Sequence, residues 1–324
     1  MTTASTTSLR NIALFGAGGN KMGHHILNTL LTPKYASNFT VTVIARESSK
    51  TAFPSSVTVL HVPDSLPHDD LVRALRKQDV LISTIGYPAK LSEFTLIDAA
   101  IEAGVKRFIP SEYGLDNSNP AAQQLSTVFA LKGRVQRYLQ SKESTGLTWT
   151  AIPTGMWLEW ALTPAISFLG INIAKHSAEY VGDGTHKLSF STLPYAAEGV
   201  AQILLHPSQT ANKTVPVRAF EASLVDIVAH LEKEQQVKYT VTNIDSEKFI
   251  AENQASVKAE EATASDGIAR GAAIYALIRA GFVLQGYGSN LVTETKAKVS
   301  SQDFEMPELK IEDVVRKAVA SAAQ

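Results

Sequence analysis

The stretch "NIALFGAGGNKMGHHILNTLL" (11–31) constrains the fold of this chain more than any other. An apolar run, "NIALFG" (11–16), enters a glycine-rich turn, and "HHILNTLL" (24–31) leaves it as a helix stopped by Pro33. A strand, a glycine turn and a helix in that order aim backbone N–H groups and a helix N-terminus outward, where they can hold a pyrophosphate. The spacing is one residue too long. G-x-x-G-x-x-G needs glycine at position 22, where Met22 stands; G-x-G-x-x-G fits Gly16 and Gly18 and then meets Lys21. Read as a widened loop, Gly16 makes the tight turn and Gly19 lets the backbone approach phosphate. Gly23 then packs helix on strand, and Gly18, Asn20 and Lys21 complete the cradle. The plain alternatives are a βα turn without a ligand and, for Lys21, a solvated loop charge.

The pattern then repeats. "FTVTVIAR" (39–46), "DVLISTIG" (79–86), "VKRFIPSEYG" (105–114) and "LTWTAIPTG" (147–155) read as buried strands. Helical segments lie between them at 68–78, 91–104 (with Ser92 as cap and Gly104 as stop) and 121–142. This alternation predicts an α/β fold, a Rossmann-like doubly wound parallel sheet with helices on both faces. In such sheets ligands lie beyond the carboxyl ends of the strands. Thr84 and Gly86, then Ser111, Glu112 and Tyr113, then Pro153 and Gly155 therefore join the cofactor side. After about residue 156 the regularity weakens. "EYVGDGTHKLSFST" (179–192) reads as a hairpin or loop feeding a strand, "KTVPVRA" as one more strand, and the rest as mainly helical. The expected organisation is a cofactor domain over 1–155 and a smaller, mostly helical substrate domain over 156–324, with 188–219 returning to the first.

The end of the second strand addresses the cofactor's identity. Loops that prefer NAD place Asp or Glu there for the ribose hydroxyl, whereas here Arg46 closes the strand and "ESSK" follows. A guanidinium matches a phosphate bidentately, and Lys50 adds a second charge, which favours NADP(H). Glu47 is the dissenting residue. Composition narrows the rest. The 324 residues are 44% hydrophobic and 19% charged, with a formal net charge of −1, so no basic footprint for nucleic acid or anionic membrane exists. Cysteine is absent, which excludes disulfides and thiolate chemistry. The polar start "MTTASTTSLR" lacks the apolar run of a secretory signal, and no membrane-length apolar stretch occurs, so a cytoplasmic location is expected. His24 and His25 are adjacent on a helix and face different ways, and no other histidine spacing suits a metal; none is expected.

"KRFIPSEYG" (106–114), taken with the glycine loop, the Arg46 position and "STIG" (83–86), resembles the isoflavone reductase-like and NmrA-like family of atypical short-chain dehydrogenases. "PTGMWLEW" (153–160) and "GDGTHKLSFSTL" (182–193) add to the resemblance, which spans most of residues 9–205. It implies a Rossmann-like NADPH domain, a small substrate domain and reductase chemistry on aromatic secondary metabolites. It also implies a lysine beside the nicotinamide, on the helix after the Pro-Ser-Glu loop, and the matching position is Lys132. Ordinary short-chain dehydrogenases use Tyr-x-x-x-Lys instead, and the same helix offers Tyr138 and Lys142. At 1.5 Å per residue Lys142 lies about 15 Å beyond Lys132, toward the wrong end of the helix. Met156, Trp157 and Trp160 are the expected substrate-pocket residues, against the plain alternative of interdomain core.

The reading that follows is an NADPH-dependent reductase of a small aromatic molecule, monomeric or homodimeric, with Lys132 as acid or base. Two alternatives stay open. One is an NmrA-like regulator that senses the dinucleotide without catalysis. The other is a quinone oxidoreductase, which needs no lysine.

Overall fold

The computed structural model describes residues 9–19, 21–87, 89 and 92–322; Asn20 lies outside them. Seven parallel strands form the central sheet, in the order β11-β6-β5-β4-β1-β2-β3. They are β1 (Asn11–Phe15), β2 (Thr40–Arg46), β3 (Thr58–Val62), β4 (Val80–Ser83), β5 (Arg107–Ile109), β6 (Thr148–Ala151) and β11 (Lys213–Thr214). Period-two alternation assigns each strand residue to a face. Ile12 and Leu14 of β1 join the core beneath α1 (Met22–Leu30) and α7 (Leu193–Leu205). Ala13 and Phe15 join the opposite core, beneath α2 (His68–Leu75), α3 (Ser92–Glu102) and α5 (Thr127–Ser141). The strand order reverses between β1 and β4, and the crevice that opens at such a point receives the ligand in doubly wound sheets. The glycine loop follows β1 directly.

One expected helix is two. Instead of running from 121 to 142, the chain forms α4 (Pro120–Leu125), breaks at Ser126 and restarts as α5. Ser126 is extended (φ −146°, ψ 138°) and its hydroxyl caps α5 by accepting from Val128 N. Asn119 caps α4 in the same way, from Ala121 N and Ala122 N. A serine that competes for backbone donors at mid-helix ends one helix and starts the next. Gly104 stops α3 in the left-handed region (φ +78°). Ser92 is the first helical residue of α3 and not a cap outside it.

The C-terminal half has its own core and two small sheets that periodicity did not foretell. Strands β7 (Met156–Trp157), β10 (Leu188–Ser191) and β12 (Phe220–Ala222) form one. Strands β8 (Ile171–Asn172), β9 (Ser177–Val181) and β13 (Thr240–Ile244) form the other. β9 and β10 thus belong to different sheets and make no hairpin. Helices α6 (Leu158–Ala161), α8 (Pro207–Thr210), α9 (Leu224–Gln235), α10 (Ser246–Thr263), α11 (Ala272–Val283) and α12 (Ile311–Ala322) complete the chain. Among the described residues no helix is long and apolar enough to cross a membrane.

Candidate active site

The loops after β1 and β4 are built against each other. Thr84 donates from both its amide and its hydroxyl to the Phe15 carbonyl, each at 2.9 Å. A Cβ on Gly23 would stand 2.5 Å from the Gly16 carbonyl oxygen and 2.5 Å from Thr84 Oγ1, so only glycine lets α1 start this close to the strands. Gly16 (φ +94°) makes the turn. Gly19 (φ +77°) differs from both, because a Cβ there would meet nothing within 4 Å. Its backbone faces open space at the helix N-terminus. Lys21 flanks it as an exposed residue at the N-cap of α1, with no side-chain cap hydrogen bond.

Thr51, which the sequence reading passed over, stands across the loop: its hydroxyl lies 2.8 Å from where a Gly18 Cβ would be. Arg46, the last residue of β2, and Lys50, four residues on, are exposed. The Ser48 hydroxyl, one of the donors close to them, is already given to Asp64, at 2.7 Å.

The segment after β5 is the most tightly folded part of the site. Ser111 N donates to Glu93 Oε1 (2.7 Å), and Ser111 Oγ donates to the Ile85 carbonyl (2.8 Å), which ties this loop to the one after β4 near Gly86. Glu112 N turns back to the Pro110 carbonyl at 2.8 Å. Tyr113 then has φ +32°, a strained value for a bulky residue. This pair of turns aims the Glu112 carbonyl at α5, where the Lys132 ammonium donates to it. The Glu112 carboxylate points inward, accepting from Asn117 Nδ2 at 2.6 Å and Gln136 Nε2 at 3.0 Å, so this side chain is 1% exposed. Burial pushes the Tyr113 hydroxyl well above its ordinary pKa, and Glu93 and Glu112 push it the same way.

Pro153 and Gly155 follow β6; the Pro153 carbonyl accepts from Val217 N, and Gly155 (φ +64°) packs against the Ser189 carbonyl of β10. Met156 is 3% exposed and lies inside the C-terminal core, whereas Trp157 and Trp160 are half-buried. Trp160 touches both that core and the one under α1 and α7. The two tryptophans begin an aromatic row through Phe168 to Phe282, with ring centroids 6.3, 5.2 and 6.5 Å apart. Phe282 Cζ comes within 3.4 Å of where a Gly114 Cβ would be, so the row ends beside the Glu112 loop. Glu159, also unforeseen, accepts at Oε1 from Leu193 N at 2.5 Å, and burial raises its pKa.

Tyr138 and Lys142 are drawn elsewhere. The Tyr138 hydroxyl donates to Asp98 of α3 at 2.6 Å, and Lys142 Nζ lies 4.7 Å from the Tyr138 ring centre and 3.6 Å from Asp98. A cavity of about 280 Å³ is lined by Thr127, Ala130, Leu131 and Arg134 of α5 together with Tyr87 and Ile268. Among the described residues no group of three or more His, Asp or Glu side chains could hold a metal ion.

The NmrA-like family model matches residues 8–265. The chain belongs to the NmrA-like family. Oxidoreductase aprR of Aspergillus flavus is 39% identical over 238 residues, covering 73% of this chain and 78% of that protein. Among solved structures, an isoflavone reductase superposes with a TM-score of 0.72 at 20% identity, over 95% of this chain and 99% of that one. The leucoanthocyanidin reductase–NADPH complex of Vitis vinifera superposes at 0.71 with 15% identity, over 96% and 99%. These two likenesses establish the Rossmann-like fold expected from the strand–helix alternation.

Proposed function

We propose that this family member is an NADPH-dependent reductase of a small aromatic molecule, with Lys132 as its proton-handling group. The observation that carries the reading is the approach of Lys132 to the Glu112 carbonyl at the carboxyl edge of the sheet, next to the glycine crevice. The kinship to a named oxidoreductase supports the class of chemistry.

The crevice fits a dinucleotide on its own residues. The Gly19 backbone at the start of α1 faces open space that a pyrophosphate can enter, and Arg46 and Lys50 provide exposed cations at the end of β2 for a 2′-phosphate. Thr84 and Gly86 floor the crevice beside β4, and Ser111 ties the neighbouring loop to it. The side chains of Glu112 and Met156 face the interior, so the cofactor contact at position 112 falls to the backbone and the pocket wall to Trp157 and Trp160. In this reading residues 1–155 hold the cofactor and 156–324 mainly enclose the substrate.

Bound NADPH supplies a hydride from nicotinamide C4. Lys132, held against the Glu112 carbonyl, is the group that meets an oxyanion developing on the substrate and delivers the proton. Trp157 and Trp160 flank an aromatic ring and exclude water. The test is to titrate NADPH and NADH and then to follow NADPH absorbance with a panel of aromatic enones and quinones. Tighter NADPH binding and Lys132-dependent turnover are expected. Equal affinity for the two cofactors would remove the role of Arg46. Quinone turnover that survives loss of Lys132 would favour the quinone oxidoreductase, and dinucleotide binding without any turnover would favour the regulator.

A further inference from the structure

Helix α5 grips the loop after β5 at two positions that share one side of the helix. Lys132 donates to the carbonyl of Glu112. Gln136, one turn further, donates to the carboxylate of the same residue at 3.0 Å. Between them Gly133 leaves room for Gln123 of α4, which a Cβ would strike. Gln123 in turn donates to the Asn117 carbonyl at 2.8 Å, and Asn117 Nδ2 donates to Glu112 Oε2 at 2.6 Å and to the Leu115 carbonyl at 3.1 Å. The space beside Gly133 is thus taken by Gln123 of the preceding helix.

The clasp is buried: Asn117 is 0%, Glu112 1% and Gln136 3% exposed. Replacing any partner leaves a desolvated donor or acceptor, so the groups hold one arrangement. That arrangement fixes the residue whose carbonyl anchors the lysine. Tyr113, strained at φ +32°, shows that this backbone direction is imposed by its surroundings rather than preferred locally.

We propose that Glu112 and Gln136 are positioning residues for Lys132: the carboxylate, held by Gln136 and Asn117, sets the loop carbonyl that orients the ammonium. The inference rests on the reading of Lys132 given above. A shift of about 1 Å in a reacting group costs on the order of a hundredfold in rate. Gln136→Met keeps length and helix propensity but removes the donor, and Glu112→Gln keeps an acceptor oxygen where the two amides meet.

The experiment measures the NADPH Kd, kcat and KM with a substrate from the panel, and acetic-anhydride labelling of individual lysines read by peptide mass spectrometry. Gln136→Met is expected to lower kcat about 10- to 100-fold with KM and NADPH Kd within about threefold, and to change Lys132 labelling relative to Lys142. Glu112→Ala, which removes the acceptor, is expected to lose kcat as Gln136→Met does, and the conservative Glu112→Gln to restore most of that loss. Wild-type kcat and labelling in Gln136→Met overturn the proposal. So does a parallel loss of kcat, cofactor affinity and thermal stability, which marks a purely structural clasp. Labelling separates the two readings: if Lys132→Ala retains turnover, the catalytic reading fails, while the response of Lys132 to Gln136→Met still decides the positioning.

Discussion

The two ends of helix α5 carry the same residue type and do opposite things with it. At Lys132 the ammonium reaches a backbone carbonyl in a strained loop at the carboxyl edge of the sheet. At Lys142, the cap after the last turn, it leans over Tyr138 and toward Asp98, a half-buried grouping between α5 and α3. The Tyr138–Lys142 spacing copies a proton-relay motif, yet its electrostatics run the wrong way. Burial and the Asp98 carboxylate raise the Tyr138 pKa, whereas a tyrosine that gives up its proton near neutral pH needs it lowered. Spacing along a helix therefore identifies which residues can meet; distance from the sheet's carboxyl edge decides which can act.

Three substitutions sharpen that contrast. The largest effect is expected at Gly19→Val. A β-branched residue at φ +77° is strained, and its side chain fills the space offered to the pyrophosphate, so NADPH and NADH affinity should both fall at least about a hundredfold while unfolding stays cooperative. Cofactor titration beside thermal unfolding checks this. Arg46→Ala comes next. Loss of a charge-assisted phosphate contact is worth about 1.5–3 kcal/mol, so NADPH should weaken roughly 10- to 100-fold and NADH little. Parallel titrations with the two cofactors decide it, and an equal loss for both would place Arg46 outside the 2′-phosphate site. The smallest effects belong to the far end of α5. Tyr138→Phe removes one half-buried hydrogen bond and should cost about 1 kcal/mol of stability, measured by denaturant unfolding, with turnover unchanged. A large fall in kcat there would reverse the assignment of the two ends.

Much of the cofactor side was legible because its signals are local. A strand, a glycine turn and a helix are contiguous; Gly23 packs α1 close to β1, and a Cβ on Gly19 would meet nothing within 4 Å. The break at Ser126 was hidden because apolar residues keep helical spacing on both sides of it, while the interruption rests on a single capping hydroxyl. Strand β3 passed unnoticed although Thr58, Val59 and Val62 are β-branched; it is a short edge strand with partly exposed residues. The strands of the small sheets are two to five residues long, too short for a period to declare itself. Asn117 and Gln136 were illegible for another reason. Polar residues in a helix or loop read as surface, and only the tertiary meeting at Glu112 buries them. A signal did exist, since Gln136 stands one turn after Lys132 on the same side.

The central claim, that chemistry belongs to the Lys132 end, is tested most directly by comparing Lys132→Ala and Lys142→Ala in one assay of NADPH affinity and substrate turnover. A group that only transfers a proton contributes about 10²–10⁴-fold to rate and little to cofactor binding. The account predicts that Lys132→Ala binds NADPH as the wild type does and loses about that factor in kcat, while Lys142→Ala stays within about twofold on both measures. Turnover by Lys132→Ala within a few fold of wild type, or an equal loss in both variants, would contradict it.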